Sequence, residues 1–161
     1  MGLGPFVTFL PAARPVGGVV QILGQGFTGT TSVSFNGTPA SFTVESDTFL
    51  MAKVPAGATT GNITVTEHTG TLTSNRVFRV PPTTQLFVPN NGPVGTVLTI
   101  HGMSLKQTTA VSFDGVSATS FTVVSNTELR ATVPAGAKTG HIEITTAGGT
   151  FTTCNTFTVT P

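Results

Sequence analysis

The chain has 161 residues, with seven Lys and Arg against six Asp and Glu, a formal charge of +1, and only 8% charged residues. That balance excludes the basic field a nucleic acid or an anionic membrane surface would require, and such sparse charge excludes a disordered, solvating chain. With 38% hydrophobic residues, 12 Phe, no Trp, no Tyr and one Cys, the sequence predicts a packed core with no intrachain disulfide and no thiolate cluster for a metal. Thr is the commonest residue, and beside 19 Gly and 11 Pro it gives the composition of strands and tight turns, so an all-β protein is expected.

Met1-Gly2-Leu3-Gly4-Pro5 lacks both the basic start and the long apolar stretch of a secretory signal. No apolar run approaches the roughly 20 residues of a membrane span, so no membrane insertion is expected. Val20 and Ile22 then begin a series of alternating rows, the mark of half-buried strands. Gly24-Gln25-Gly26-Phe27-Thr28-Gly29 satisfies the spacing of a dinucleotide-binding loop, but that chemistry needs a helix N-terminus next, and Thr31-Ser32-Val33-Ser34-Phe35 alternates like a strand. A plain loop is the reading. Val33 and Phe35 form the next inward row, and Asn36-Gly37 after them predicts a type I′ hairpin turn. Leu50, Ala52 and Val54, then Ile63 and Val65, then Phe78 and Val80 complete the inward set of the first half.

The second half repeats the first. Phe9-Leu10-Pro11 returns as Phe87-Val88-Pro89, and Val33-Ser34-Phe35-Asn36-Gly37 as Val111-Ser112-Phe113-Asp114-Gly115. After one inserted residue, Val54-Pro55-Ala56-Gly57-Ala58 returns as Val133-Pro134-Ala135-Gly136-Ala137, and Phe78-Arg79-Val80 as Phe157-Thr158-Val159. About half of the aligned positions are identical, which is duplication, and each unit is domain-sized. Two domains are therefore expected, 1–82 and 83–161, joined through the Pro-rich Val80-Pro81-Pro82-Thr83-Thr84. Some seven short strands per unit, with turn signals every 8 to 12 residues, fit an antiparallel β-sandwich.

No constellation of residues points to catalysis. His68, His101 and His141 stand apart without metal-ligand spacing, the acidic residues are scattered with no calcium loop, and no nucleophile motif is present. An enzyme is not expected, nor is a cofactor. Cys154 reads as a small packed side chain, with an interchain disulfide as the sharper alternative. Asn36-Gly37-Thr38 and Asn62-Ile63-Thr64 match the glycosylation sequon, although the hairpin turn already explains the first.

The order Phe-x-Pro, Pro-Val-Gly, Ile-x-Gly, Val-Ser-Phe-Asn/Asp-Gly, Leu-x-Ala-x-Val-Pro-Ala-Gly-Ala, Thr-Gly-x-Ile and Phe-x-Val resembles the IPT/TIG domain, twice over nearly the whole chain. The resemblance implies two tandem immunoglobulin-like sandwiches of the kind found in plexins, some transcription factors, and bacterial and phage surface proteins. It also brings in nucleic acid and glycans as partner classes. The first unit has one excess positive charge and the second is balanced, so nucleic acid is set aside. Sugar platforms usually expose Trp or Tyr, and this chain has neither.

The copies disagree on one strand. Outward of Leu50, Ala52 and Val54 lie Phe49, Met51 and Lys53, where the second unit has Glu128, Arg130 and Thr132. An apolar outward row predicts a protein-contact surface, to which Phe6 and Leu3 could add, the alternative being that Phe49 and Met51 pack beneath a local loop. The expectation is a non-catalytic structural or interaction module on the surface of a larger assembly, with neighbouring subunits as protein partners. A phage capsid or tail decoration protein and a bacterial surface-protein segment both fit, with a carbohydrate-binding accessory domain as the other class.

Overall fold

The computed structural model describes residues 7–161, and the chain divides into two units, Met1–Val80 and Pro81–Pro161. In the first unit, β1 (Val7–Leu10), β2 (Val19–Gly24), β6 (Phe49–Lys53) and β5 (Phe42–Ser46) form one antiparallel sheet in the order β1-β2-β6-β5. The second sheet has the order β4-β3-β7-β8, from β3 (Thr30–Phe35), β4 (Thr38–Ala40), β7 (Ile63–Glu67) and β8 (Gly70–Thr73). Val20, Ile22, Leu50 and Ala52 from one sheet share a single core cluster with Val33, Phe35, Ile63 and Val65 from the other. This is the two-layer packing that alternating strands demand. Phe78 lies at its centre, edge-on to the rings of Phe9 and Phe35 at 5.3 and 5.2 Å.

The second unit repeats the arrangement. Its first sheet runs β9-β11-β15-β14, built from β9 (Thr83–Val88), β11 (Val97–Met103), β15 (Glu128–Thr132) and β14 (Ser120–Val123). The other runs β10-β17-β16-β12-β13, with β10 (Asn91–Gly92), β12 (Thr108–Phe113), β13 (Val116–Ser117), β16 (Gly140–Thr146) and the long β17 (Gly149–Val159). Leu98, Ile100, Val111, Phe113, Leu129, Ala131, Ile142, Ile144 and Phe157 fill the core as the alternation predicts, with Val159 partly buried against it. The parallel pairing of β10 with the end of β17 has its counterpart in the first unit as an isolated bridge between Ala13 and Arg79.

Both predicted turns are type I′. Asn36 and Gly37 have φ of 46° and 86°, Asp114 and Gly115 have 47° and 84°, and in each case two residues join directly paired strand ends. Polar pins are duplicated as well. Ser74 Oγ accepts from the Ile63 N–H and donates to the Arg76 carbonyl, and Thr153 Oγ1 does the same for Ile142 and Asn155. Such buried hydroxyls close backbone accounts that β8 and the matching part of β17 leave open.

The glycine-rich segment after β2 is a loop ending in one 3₁₀ turn, Phe27–Gly29, which leads directly into β3. Phe27 is fully buried, and its counterpart Leu105 plugs the second unit in the same way. Asp47 holds this loop: its carboxylate accepts from Thr28 Oγ1 at 2.8 Å and from the N–H groups of Thr28 and Gly26. In the second unit Asn126 takes that place and accepts from the Lys106 N–H.

Gly102 sits at a register shift between β9 and β11, where a Cβ would stand 2.1 Å from the Thr83 carbonyl oxygen. Because that neighbour is backbone, Gly102→Ala is expected to destabilise the second unit by roughly 1–3 kcal/mol, read from denaturant unfolding; an unchanged midpoint would mean that β9 moves aside freely. At Asp47, hydrogen bonds from Thr28, side chain first, hold the carboxyl below its ordinary pKa. The folded state therefore favours the ionised form, and its stabilisation is present above the ordinary Asp range and fades as pH falls through the lowered value. Asp47→Ala should melt earlier than the wild type near neutral pH, with the gap closing in acid. A gap that persists at low pH would remove the ionised carboxylate from the account.

Candidate interaction face

In the first unit, the sheet β1-β2-β6-β5 turns one face to the core and the other outward. Register sets the neighbours on that outer face. Met51 stands between Gln21 and Thr43, Phe49 between Leu23 and Ser46, and Lys53 beside Val19. Lys53 is exposed, whereas Phe49 and Met51, each paired with a neighbour on both sides, are only partly open. The fully open apolar members are Leu10 and Val19, each 52% exposed. Sequence reasoning missed both, although alternation against the buried Val20 and Phe9 carried the signal. Phe6 and Leu3 lie outside the described residues.

Two shallow depressions meet on this face and share Val19 and Met51. One is bordered by Leu10, Pro11, Arg14, Val19, Gln21 and Met51; the other reaches Ser41, Thr43 and Lys53. The result is a ring of apolar side chains about the Gln21 amide, which lies between Leu10 and Met51 across the ladder, with the Arg14 guanidinium, the Lys53 ammonium and the hydroxyls of Ser41 and Thr43 at the rim.

The same face of the second unit is chemically different only in part. Glu128 and Arg130 pair at 3.2 Å, and Thr132 shares a hydrogen bond with Ser120. Such an exposed pair contributes little stability, but it keeps the strand solvated. Yet Val88 and Val97, the counterparts of Leu10 and Val19, are 57% and 55% exposed. The contrast between the copies is sharpest at β6 against β15, where Phe49 and Met51 oppose Glu128 and Arg130, and it extends to the neighbouring strands, where Leu23 and Thr8 correspond to His101 and Leu86, the last 47% exposed.

The other residues weighed from sequence do not converge. Among the described residues, no three of His, Cys, Asp and Glu come together. His68 is exposed at the β7–β8 hairpin tip, His141 is exposed, and His101 is partly buried within β11. The expectation of a packed Cys154 is corrected: its thiol is free and the residue exposed. The reason is the pleat, since Thr153 points inward and turns its neighbour out. Asn36 is occupied within the fold, its amide donating to Thr59 Oγ1 and the Thr60 carbonyl, and Asn62 donates to the Ser74 carbonyl.

The fold has known relatives. The family model described as the IPT/TIG domain matches residues 6–80 and again 82–159. No curated protein matches the sequence. Among solved structures, the chain is similar to the surface glycan-binding protein PbSGBP-B from Prevotella bryantii, at 13% identity and a TM-score of 0.58, over 97% of this chain and 42% of that one. SGBP-B from a xyloglucan utilization locus in Bacteroides uniformis is 22% identical at a TM-score of 0.46, over 97% of this chain and 50% of that one. The extracellular region of plexin A4 is 17% identical at 0.47, over 98% of this chain and 18% of that one. The chain thus spans half or less of each of these structures, and the likeness is one of fold. Two matches of the family model, each over a complete sandwich, make this chain a member of the IPT/TIG family, with two domains in tandem.

Proposed function

We propose that this chain is a non-catalytic module that works by surface contact, with the outer face of β1-β2-β6-β5 as its docking face. The observation that carries this reading is the divergence between β6 and β15. Duplicated strands in equivalent registers keep the same inner row, so their outer rows are free to differ. One copy has an exposed ion pair there, while the other has Phe49 and Met51 on one face with Leu10 and Val19, grouped around Gln21. Apolar area of this kind on a sheet face fits a partner surface, and Lys53 and Arg14 at its rim would set register rather than affinity. The occupant in this reading is a neighbouring protein subunit of a larger surface assembly, whether a capsid or tail shell or a bacterial surface protein; Phe6 is proposed to join the same contact.

A second reading, glycan binding, draws on the depression bordered by Leu10, Val19, Gln21, Arg14 and Met51. Apolar side chains around the central Gln21 amide, with a guanidinium at the edge, offer a sugar ring both apolar contact and donors, although without the Trp or Tyr platform that usually supplies most of the contact. Glycan binding is named for the Prevotella protein as a whole, and this chain corresponds to 42% of it.

The test is the double variant Phe49→Glu, Met51→Arg. Because both side chains are only partly buried, the melting temperature should fall by a few degrees at most, while association with the native assembly is lost. Full association with the variant would overturn the docking face. Calorimetry of the wild type against a panel of soluble plant and bacterial polysaccharides separates the second reading: a flat trace is expected, and saturable heat abolished by the double variant would replace protein docking with glycan binding.

A further inference from the structure

The copies differ at a second place, on the opposite side of the edge strand. In the first unit Arg76 covers Phe9: its Nη2 donates to the Phe9 carbonyl at 2.6 Å, and the guanidinium carbon lies 4.7 Å from the ring centroid. The backbone that presents Arg76 is held by Ser74, whose hydroxyl donates to the Arg76 carbonyl. Thr153 holds Asn155 in the second unit by the same bond at the same length, 2.8 Å. Asn155 therefore stands where Arg76 stands, and Phe87 where Phe9 does. An asparagine is too short to reach across the ring. Accordingly Phe9 is fully buried and Phe87 is 8% exposed, beneath a cleft of about 120 Å³ bordered by Leu86, Gln85, Thr153, Cys154 and Asn155.

We propose that this cleft receives an arginine side chain from a partner protein. The first unit shows what fits: a planar cation laid on the aromatic face and donating to the strand carbonyl beneath it. Every residue bordering the cleft is uncharged, so nothing repels a cation, and the amide oxygens of Asn155 and Gln85 add acceptors. Arginine is favoured over lysine because its flat guanidinium can stack on the ring and donate sideways at once, whereas an ammonium is a strongly hydrated point charge. The site does not depend on the docking face of the first unit and could engage the same partner or another.

The probe is Nα-acetyl-arginine N-methylamide, titrated into the full ¹⁵N-labelled chain, with the lysine and norleucine analogues in parallel. Amide shifts should cluster at Phe87, Cys154 and Asn155 for the arginine probe, be smaller for lysine and be absent for norleucine. The variant Asn155→Arg should fill the cleft from within, raise the melting temperature of the second unit and abolish the arginine shifts. Absence of clustered shifts, equal shifts with norleucine, or arginine shifts that survive in Asn155→Arg would each overturn the proposal. If that variant fails to fold, the wild-type titrations decide alone.

Discussion

A strand in a two-layer sandwich has a side-chain period of two, so each strand gives one row to the core and leaves the other to its surroundings. In this chain that constraint is met twice with the same materials. Val20, Ile22, Leu50, Ala52, Ile63 and Val65 are sealed between two sheets in the first unit, and Leu98, Ile100, Leu129, Ala131, Ile142 and Ile144 repeat them in the second. Neither unit has a disulfide, and only one ion pair is present among the described residues, so packing and backbone pairing hold the fold. Each buried Val, Ile, Leu or Phe is worth on the order of 1.5–3 kcal/mol relative to exposure. A change in the inner row is therefore costly, and a change in the outer row is nearly free.

That asymmetry sets where the copies are free to differ. Substitutions such as Val20 to Leu98 or Val65 to Ile144 keep the inner row apolar. Met51 to Arg130 and Phe49 to Glu128 reverse the chemistry of an outer row, and Arg76 to Asn155 removes the cover from a ring. Two surfaces of differing chemistry on repeated frames suit a module whose specificity lies in contact. No acid–base or metal chemistry has to be fitted to these positions for the frame to make sense.

Most of the fold was legible in the sequence because alternation and Asn-Gly or Asp-Gly turns are local signals. Phe35 and Phe113 could be placed inside from their neighbours alone, and the turns after them from the positive φ those residues tolerate. The duplication added long-range information that a single copy lacks. What was not legible depends on contacts between strands far apart in sequence. The degree to which Phe49 and Met51 are sheltered is set by Leu23, Ser46, Gln21 and Thr43 across the ladder, and the cover of Phe9 by Arg76 joins residues 67 positions apart. Cys154 was misjudged for a nearer reason, since its lone occurrence outweighed the pleat that turns it outward.

The most direct measurement is hydroxyl-radical footprinting of the free chain and of the chain within its native assembly, read by mass spectrometry at single residues. A docking face on β1-β2-β6-β5 predicts that oxidation of Met51 and Phe49 falls sharply in the assembly, while Met103 and Phe121 of the second unit label alike in both. Equal labelling of Met51 and Phe49 in the two states would contradict it.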